Sequence, residues 1–145
     1  MLPDTVNSVL RRKSRKVLTI APDASVYEAI ALMAENSVGA LVVVTDGLPV
    51  GIVSERDYAR KVILQGRSSS DTPVAQIMSS PVLTVTPHDT AQTCMQIMTE
   101  RKIRHLPVLD DDGVVVGLVS IGDLVKAVIE DQREEIDQLQ RYIAS

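Results

Sequence analysis

The hydrophobic pattern of the chain switches between runs typical of β-strands and spacings typical of helices, and the whole order occurs twice. Each copy starts with a short apolar run and continues with apolar residues at every third or fourth position. Two β-rich runs joined by an Asp-Gly turn follow, and a further helical spacing closes the copy. In the first copy these segments are residues 17–20, 26–33, 40–44, 50–53 and 58–63; in the second they are 82–85, 91–98, 106–109, 114–119 and 124–128. The pattern predicts two β-α-β-β-α units.

Aligning the chain with itself shows that these units are repeats. Val17-Leu18-Thr19-Ile20-Ala21-Pro22 recurs 65 residues later as Val82-Leu83-Thr84-Val85-Thr86-Pro87. After one extra residue in the second Asp-Gly turn, Gly51 aligns with Gly117 and Asp57 with Asp123. The predicted organisation is an N-terminal helix with a basic segment over 1–16, repeat 1 over 17–66, a linker over 67–81, repeat 2 over 82–131 and a helical extension over 132–145.

Both ends of the chain carry additional helical patterns. Val6, Val9 and Leu10 predict a short helix after Pro3-Asp4, followed by a basic run over 11–16. A targeting peptide is the alternative, but the segment has no apolar core and no small-residue cleavage site. At the other end, apolar residues in heptad-like positions predict a charged helix that packs on another subunit or on its own domain, and we favour a dimer contact. These residues are Ile129, Ile136, Leu139 and Ile143.

Composition narrows the classes of function. The chain is 45% hydrophobic but only 2% aromatic, so stacking of bases on aromatic rings is not expected. A net charge of −4 argues against a nucleic-acid partner, and no apolar run is long enough to cross a membrane. The single Cys94 excludes an internal disulfide and lies on the apolar face of a predicted helix, which favours a core role. We expect a cytoplasmic protein without a nucleic-acid or membrane partner.

A Gly-x-x-Ser-x-x-Asp segment stands at the end of a strand in both repeats. In each, a hydroxyl and a carboxylate flank the start of a helix, as Ser54 with Asp57 and as Ser120 with Asp123. The helix start attracts an anion, the hydroxyl can donate to a phosphate oxygen, and the carboxylate can accept from ribose hydroxyls. The alternative is a plain capping box, in which Ser and Asp only cap the helix.

The repeats, both Gly-x-x-Ser-x-x-Asp segments and Ile103-Arg104-His105-Leu106-Pro107-Val108 together resemble the CBS-domain family. The resemblance covers residues from about 17 to about 131. It implies an α/β (α+β) fold of two tandem repeats packed through their sheets with pseudo-twofold symmetry. It also implies two clefts for an adenine nucleotide, with AMP expected first, NAD, ADP or ATP as alternatives, and no catalytic cofactor.

Transferred residue by residue, the resemblance implies two unequal sites, of which the one at Asp57 is expected to hold a phosphate more tightly than the one at Asp123. Near Asp57, Arg56 and Arg60 add positive charge, and His105 is expected to reach the same phosphates. Near Asp123, Gly122 stands in place of Arg56 and Ala40 in place of His105, so the second site is left empty, holds a less charged group, or uses Arg104 and Ser79. Arg56 and Arg60 as a solvated face and His105 as a structural histidine are the alternatives. The candidate nucleotide-binding residues are Leu18, Ala40, Ser54, Arg56, Asp57, Arg60, Ser79, Leu83, Arg104, His105, Ser120 and Asp123.

The function expected from these residues is that of a regulatory or sensor module, acting as a homodimer on a separate and unidentified effector protein. A nucleotide-processing enzyme is one alternative, against which stand the absence from the sequence of a phosphate loop and of a paired nucleophile and base. A structural dimerisation unit with vestigial clefts is the other. We expect no enzyme activity.

Overall fold

A computed structural model describes residues 5–13 and 17–144. Its helices are α1 (Val6–Lys13), α2 (Val26–Asn36), α3 (Glu55–Tyr58), α4 (Ala91–Arg101) and α5 (Ile121–Ala144). Its strands are β1 (Thr19–Ile20), β2 (Ala40–Thr45), β3 (Leu48–Ser54), β4 (His105–Leu109) and β5 (Val115–Ser120). A π-helical turn (Ala59–Ile63) continues α3, and a 3₁₀ turn (Val74–Gln76) lies between the repeats. The predicted helix on Val6, Val9 and Leu10 is confirmed, whereas residues 14–16 of the basic run lie outside the described residues.

Repeat 1 folds as its pattern predicts. Ser25 is the N-cap of α2 and its hydroxyl accepts from the Glu28 amide at 3.1 Å. The strands form one sheet in the order β1-β2-β3, with β1 parallel to β2 and β2 antiparallel to β3. Asp46 and Gly47 both have positive φ in the turn between β2 and β3, as tight hairpin turns of this composition require.

In repeat 2 the predicted strand over residues 82–85 does not form, and Val85 alone pairs with Val108 of β4. The reason lies in one proline. In repeat 1 the Val42 amide donates to the Leu18 carbonyl at 3.3 Å, and the residue aligned with Val42 in repeat 2 is Pro107, which has no N–H. The ladder therefore loses this bond, and the second sheet has two strands, β4 and β5.

The second helix of each repeat buries fewer of its apolar residues than its helical spacing predicts. Val62 and Leu124 are buried as expected, but Ile63 is 56% exposed and Val125 is 44% exposed. In repeat 2 this helix and the predicted C-terminal extension form the continuous α5, of 24 residues. Within the described residues, no helix combines the length and the apolar character needed to cross a bilayer.

Each repeat has its own core, and each core includes a segment that precedes the other repeat. Val6 of α1 lies in the core of repeat 2, and Val74 of the 3₁₀ turn lies in the core of repeat 1. Their backbone bonds match, since the Val6 amide donates to Asp89 O and the Val74 amide to Ala24 O, both at 2.8 Å. Because Asp89 and Ala24 are aligned residues, α1 and the 3₁₀ turn hold equivalent places in the fold.

Strands β2 and β4 are buried on both faces. Leu41 and Val43 of β2 point into the core of repeat 1, yet their neighbour Val42 on the opposite face is also fully buried. Pro107 of β4 is likewise buried beside the core residues Leu106 and Val108. The second face of each sheet is therefore covered as well. A cavity lined by both repeats opens beside the first residues of β2 and β4.

Candidate functional site

Both Gly-x-x-Ser-x-x-Asp segments fold as a strand end followed directly by a helix start. The Asp57 amide donates to Ser54 Oγ at 3.2 Å, and the Ser54 amide donates to Asp57 Oδ2 at 3.0 Å. The same pair of bonds joins Ser120 and Asp123, at 3.1 and 2.9 Å. Both segments are therefore capping boxes, so the same four side chains have a structural role whether or not a ligand binds.

Asp57 pairs with a lysine that follows it closely in the chain. Lys61, one turn along, places Nζ 3.4 Å from Asp57 Oδ1 and donates to the Ile77 carbonyl at 2.9 Å. Arg56 and Arg60, the cations that the sequence assigns to this site, are both exposed. Whether they hold a phosphate stays a prediction.

Asp123 is contacted by a residue from far along the chain. Lys13 of α1 places Nζ 2.8 Å from Asp123 Oδ2 and donates to the Leu118 carbonyl at 2.7 Å. Burial acts to raise the pKa of Asp123, but the Lys13 ammonium and the hydrogen bonds from Ser120 outweigh burial and hold that pKa below its ordinary value. The carboxylate is thus ionised and already paired with a cation.

A cavity of about 970 Å³ opens beside Asp123. Repeat 1 contributes Leu18 and Ala40 to its lining, and repeat 2 contributes His105 and Ser120. This volume is at the upper end of the range of ~300–1,000 Å³ usual for sites of small molecules and cofactors. Charged residues from α1, α2 and α5 also line the cavity, namely Arg12, Lys13, Glu35, Lys126 and Glu130.

His105 lies in this cavity at the start of β4, opposite Ser120 in the ladder with β5. Burial lowers the pKa of His105, and Lys13 and Arg104 lower it further, whereas Asp123 and Asp57 act in the other direction. The imidazole is therefore neutral at pH 7. The family resemblance implies that His105 serves the Asp57 site; in the structure it lines the Asp123 cavity while remaining within electrostatic reach of both carboxylates.

The structure thus brings together five of the twelve candidate residues, and these five line the Asp123 cavity: Leu18, Ala40, His105, Ser120 and Asp123. The other seven do not line it: Ser54, Arg56, Asp57, Arg60, Ser79, Leu83 and Arg104. Ser79 instead exchanges backbone hydrogen bonds with Ile52 of β3, and the Arg104 carbonyl accepts from the Ile121 amide at 2.9 Å. Leu83 is 40% exposed.

Sequence reasoning missed Lys13 and Lys126 as cavity residues. The basic run that contains Lys13 is evident in the sequence, but it precedes repeat 1 and gives no sign that α1 packs on repeat 2. Lys126 follows Asp123 by three residues on a helix, which places both on one face, and this spacing could have identified it.

One further sequence interpretation concerns a group outside the cavity. Cys94 is fully buried in the core of repeat 2, as predicted, and burial followed by the charge of Asp89 raises the pKa of its thiol to about 11. Among the described residues, no three His, Cys, Asp or Glu side chains are grouped as metal ligands.

Comparison with known proteins agrees with the repeat structure. A family model described as "CBS domain" matches residues 6–63 and 74–130. A CBS domain-containing protein of Arabidopsis thaliana, CBSX3, described as mitochondrial, is 44% identical over 96% of this chain and 71% of its own length. A solved protein with CBS domains from Burkholderia ambifaria is 51% identical, with a TM-score of 0.82 over 89% of this chain and 96% of that one.

Three other solved structures have ligands or an assembly in their descriptions. A CBS domain protein from Pyrobaculum aerophilum complexed with AMP is 29% identical, with a TM-score of 0.75 over 83% of this chain and 89% of that one. The CBS domain pair of protein MJ0100, in complex with 5-methylthioadenosine and S-adenosyl-L-methionine, is 25% identical, with a TM-score of 0.78 over 88% and 98%. A hexameric CBS-CP12 protein from cyanobacteria is 25% identical, with a TM-score of 0.76 over 99% and 88%.

Proposed function

The chain belongs to the CBS-domain family, and from this premise we propose that it is a regulatory module that binds an adenine nucleotide and acts on a separate partner protein. Two structural neighbours are described with adenosine-type ligands, which supports this class of ligand. We propose AMP as the first candidate, followed by NAD, ADP and ATP.

The observation that carries the proposal is the cavity beside Asp123. It has the volume of a small-molecule site, it is lined by both repeats, and it contains the start of α5, where backbone N–H groups and the helix dipole favour an anion. The Ser120 amide and the Lys13 ammonium both contact Oδ2 of the Asp123 carboxylate. We propose that this carboxylate accepts from the ribose hydroxyls in place of the Lys13 ammonium, and that the phosphate lies toward the helix start.

We propose that the module is not catalytic. The Ser54 hydroxyl lies 3.0 Å from Asp57 Oδ2, and both serine hydroxyls accept a backbone amide in their capping boxes. This geometry holds a helix start and does not resemble a nucleophile paired with a histidine base. Purified protein should therefore leave AMP, ATP and NAD unchanged.

A thermal-shift series tests the proposed function. AMP at a hundred times its dissociation constant should stabilise the native chain by about 2.7 kcal/mol, and a structural module with vestigial clefts should show no shift with any of the nucleotides. Asp123→Ala should remove the response to AMP, while Asp57→Ala, its matched control, should retain it. The opposite result would support the ranking from the sequence, in which Asp57 is the stronger site.

We also propose that the protein is a homodimer through α5. From residue 132 onward every described residue of this helix is exposed, including Ile136 at 53% and Leu139 at 61%. Ile129, Ile136 and Ile143 follow one another at seven-residue intervals, the spacing of one position of a coiled coil. A second copy offers the same row of apolar side chains, so a symmetric contact would cover both.

The location in the cell is a proposal of the same kind. We propose the cytoplasm from the sequence, and the organelle in the description of the Arabidopsis relative makes mitochondria the alternative. Fractionation of cells with an antibody against the native protein distinguishes the two.

A further inference from the structure

Lys13 lies where a nucleotide would have to bind. Its ammonium is 2.8 Å from Asp123 Oδ2, the carboxylate to which the proposed function assigns the ribose. Only 26% of the Lys13 side chain and 22% of the Asp123 side chain are exposed, so this ion pair is substantially shielded from water. A ligand that reaches Asp123 must therefore displace Lys13 or engage it.

The cavity needs a cation to hold a phosphate, and of the two lysines in its lining Lys126 is exposed whereas the Lys13 side chain is only 26% exposed. Glu35 and Glu130 also line its wall, and both repel an anion. His105 is neutral because burial lowers its pKa. Arg12 is held on α5 by Glu130 at 3.3 Å and by Asp131 at 3.2 Å. In repeat 2, moreover, Gly122 stands where repeat 1 has Arg56.

Lys13 can supply this cation without leaving the cavity. Its four-carbon stem is flexible and its ammonium carries three donors, so it can turn from Asp123 to a phosphate while keeping its bond to the Leu118 carbonyl. The stem starts from α1, which is fixed on repeat 2 by Val6, Val9 and Leu10. The ammonium is therefore held within a short distance of the helix start.

We propose that Lys13 is the residue by which the Asp123 cavity distinguishes a phosphorylated nucleoside from a free one. A free nucleoside that binds Asp123 breaks the ion pair and leaves the Lys13 ammonium without an anionic partner. A nucleotide bonds the carboxylate through its ribose hydroxyls, and its phosphate replaces the carboxylate as the partner of Lys13. This inference rests on the proposed function, and it adds a specificity-determining residue that lies outside both Gly-x-x-Ser-x-x-Asp segments.

Binding of AMP and of adenosine, measured by calorimetry on the native chain and on Lys13→Met, tests the proposal. Loss of a charge-assisted hydrogen bond should weaken AMP binding roughly tenfold to a hundredfold. Adenosine should bind at least as well as before, because Asp123 no longer has a partner to lose. The ratio of the adenosine to the AMP dissociation constant should thus fall by about tenfold or more.

Three variants make the result specific. Lys13→Arg retains the charge and should keep the ratio within about threefold of the native value. Lys61→Met removes the corresponding lysine of the Asp57 pair and should leave the ratio unchanged. If Lys126→Met lowers the ratio and Lys13→Met does not, the phosphate is held by Lys126 and the proposal is overturned.

A purely structural role of Lys13 gives a different outcome. If the lysine only anchors α1, Lys13→Met should weaken AMP and adenosine by the same factor, which overturns the proposal. The salt dependence of AMP binding is a second readout, since it should become shallower in Lys13→Met only if the ammonium meets the phosphate. Absence of any nucleotide or nucleoside binding to the native chain would refute the proposed function itself.

Discussion

His105 shows at the scale of one residue how burial and neighbouring charges set a protonation state. It is partly buried at the start of β4, and its neighbours include two carboxylates and the cations Lys13 and Arg104. Burial outweighs the carboxylates, so the pKa falls rather than rises. The family resemblance implies only that this histidine reaches a phosphate; the structure adds that its imidazole starts neutral.

The lowered pKa of His105 predicts a loss of stability on acidification. Since the folded-state pKa lies below the unfolded value of about 6.5, the unfolded chain takes up the proton first as the pH falls. The free energy of unfolding should therefore decrease from about pH 7 downward, and this decrease should level off below the folded-state pKa.

Urea unfolding of His105→Gln between pH 7.5 and pH 5 measures this contribution. The variant should lose less stability over this range than the native chain. His88→Gln, which changes the other histidine of the chain, on an exposed loop, is the control. If the free energy of unfolding falls equally steeply with pH in the native chain and in His105→Gln, the prediction is contradicted.

At the scale of secondary-structure elements, α1 packs on repeat 2, although repeat 1 follows it directly in the chain. Leu10 packs on Gly117 of β5 so closely that a Cβ at this glycine would lie 2.7 Å from Leu10 Cδ1. Met78 packs on the aligned Gly51 of β3 in the same manner. Each glycine thus makes room for a side chain of the segment that precedes the other repeat.

Because α1 packs in the core of repeat 2, a mutation in α1 should destabilise repeat 2 more than repeat 1. Val9 is 2% exposed in the core of repeat 2, so Val9→Ala should lower the free energy of unfolding by about 2 kcal/mol. Hydrogen exchange should accelerate mainly in β4 and β5, although Val9 precedes repeat 1 in the chain. Asn7→Ala, on the exposed face of α1, should change neither quantity; faster exchange in β2 and β3 instead would contradict the packing.

The exposed row on α5 makes a separate prediction about assembly. Ile136→Asp places a charge in the middle of this row and should convert a dimer to a monomer, as measured by size-exclusion chromatography with light scattering. Glu134→Gln lies on the opposite side of the helix and should leave the mass unchanged. A native chain that is already monomeric at micromolar concentration would refute the dimer.

At the scale of the whole molecule, the candidate site is a product of both repeats together. Ala40 at the start of β2 and His105 at the start of β4 line one cavity, although 65 residues separate them. They are aligned residues of the two copies, so the cavity lies where the copies face each other. A ligand held there contacts both repeats at once.

Filling the cavity from the side of repeat 1 should therefore abolish binding at Asp123. Ala40 is 4% exposed, and Ala40→Leu adds three carbon atoms to the wall of the cavity. AMP should no longer produce a thermal shift, while stability falls by about 1–3 kcal/mol at most through overpacking. Ala34→Leu, on an exposed position of α2, is the control, and an unchanged AMP response in Ala40→Leu would place the ligand elsewhere.

Much of the fold could be predicted from the sequence because its signals are local. The Asp-Gly turns and the helical spacings of α2 and α4 each depend on a few neighbouring residues, and each appears in the structure as predicted, with Ser25 and Thr90 as the N-caps of these two helices. The strand over 82–85 failed because its partner Pro107 lacks a donor, which matters only once the two segments are paired. The exposure of Ile63 and Val125 likewise depends on what covers the helix.

The sequence by itself determined that the chain is a pair of repeats, that each repeat brings a serine and an aspartate to a helix start, and that the interior is aliphatic. These properties follow from residue type and spacing. Only the tertiary structure decided that α1 crosses to repeat 2, that Lys13 pairs with Asp123, and that a cavity opens beside Asp123. Contacts between residues more than a hundred positions apart depend on how the repeats pack, and neither periodicity nor local motifs contain that information.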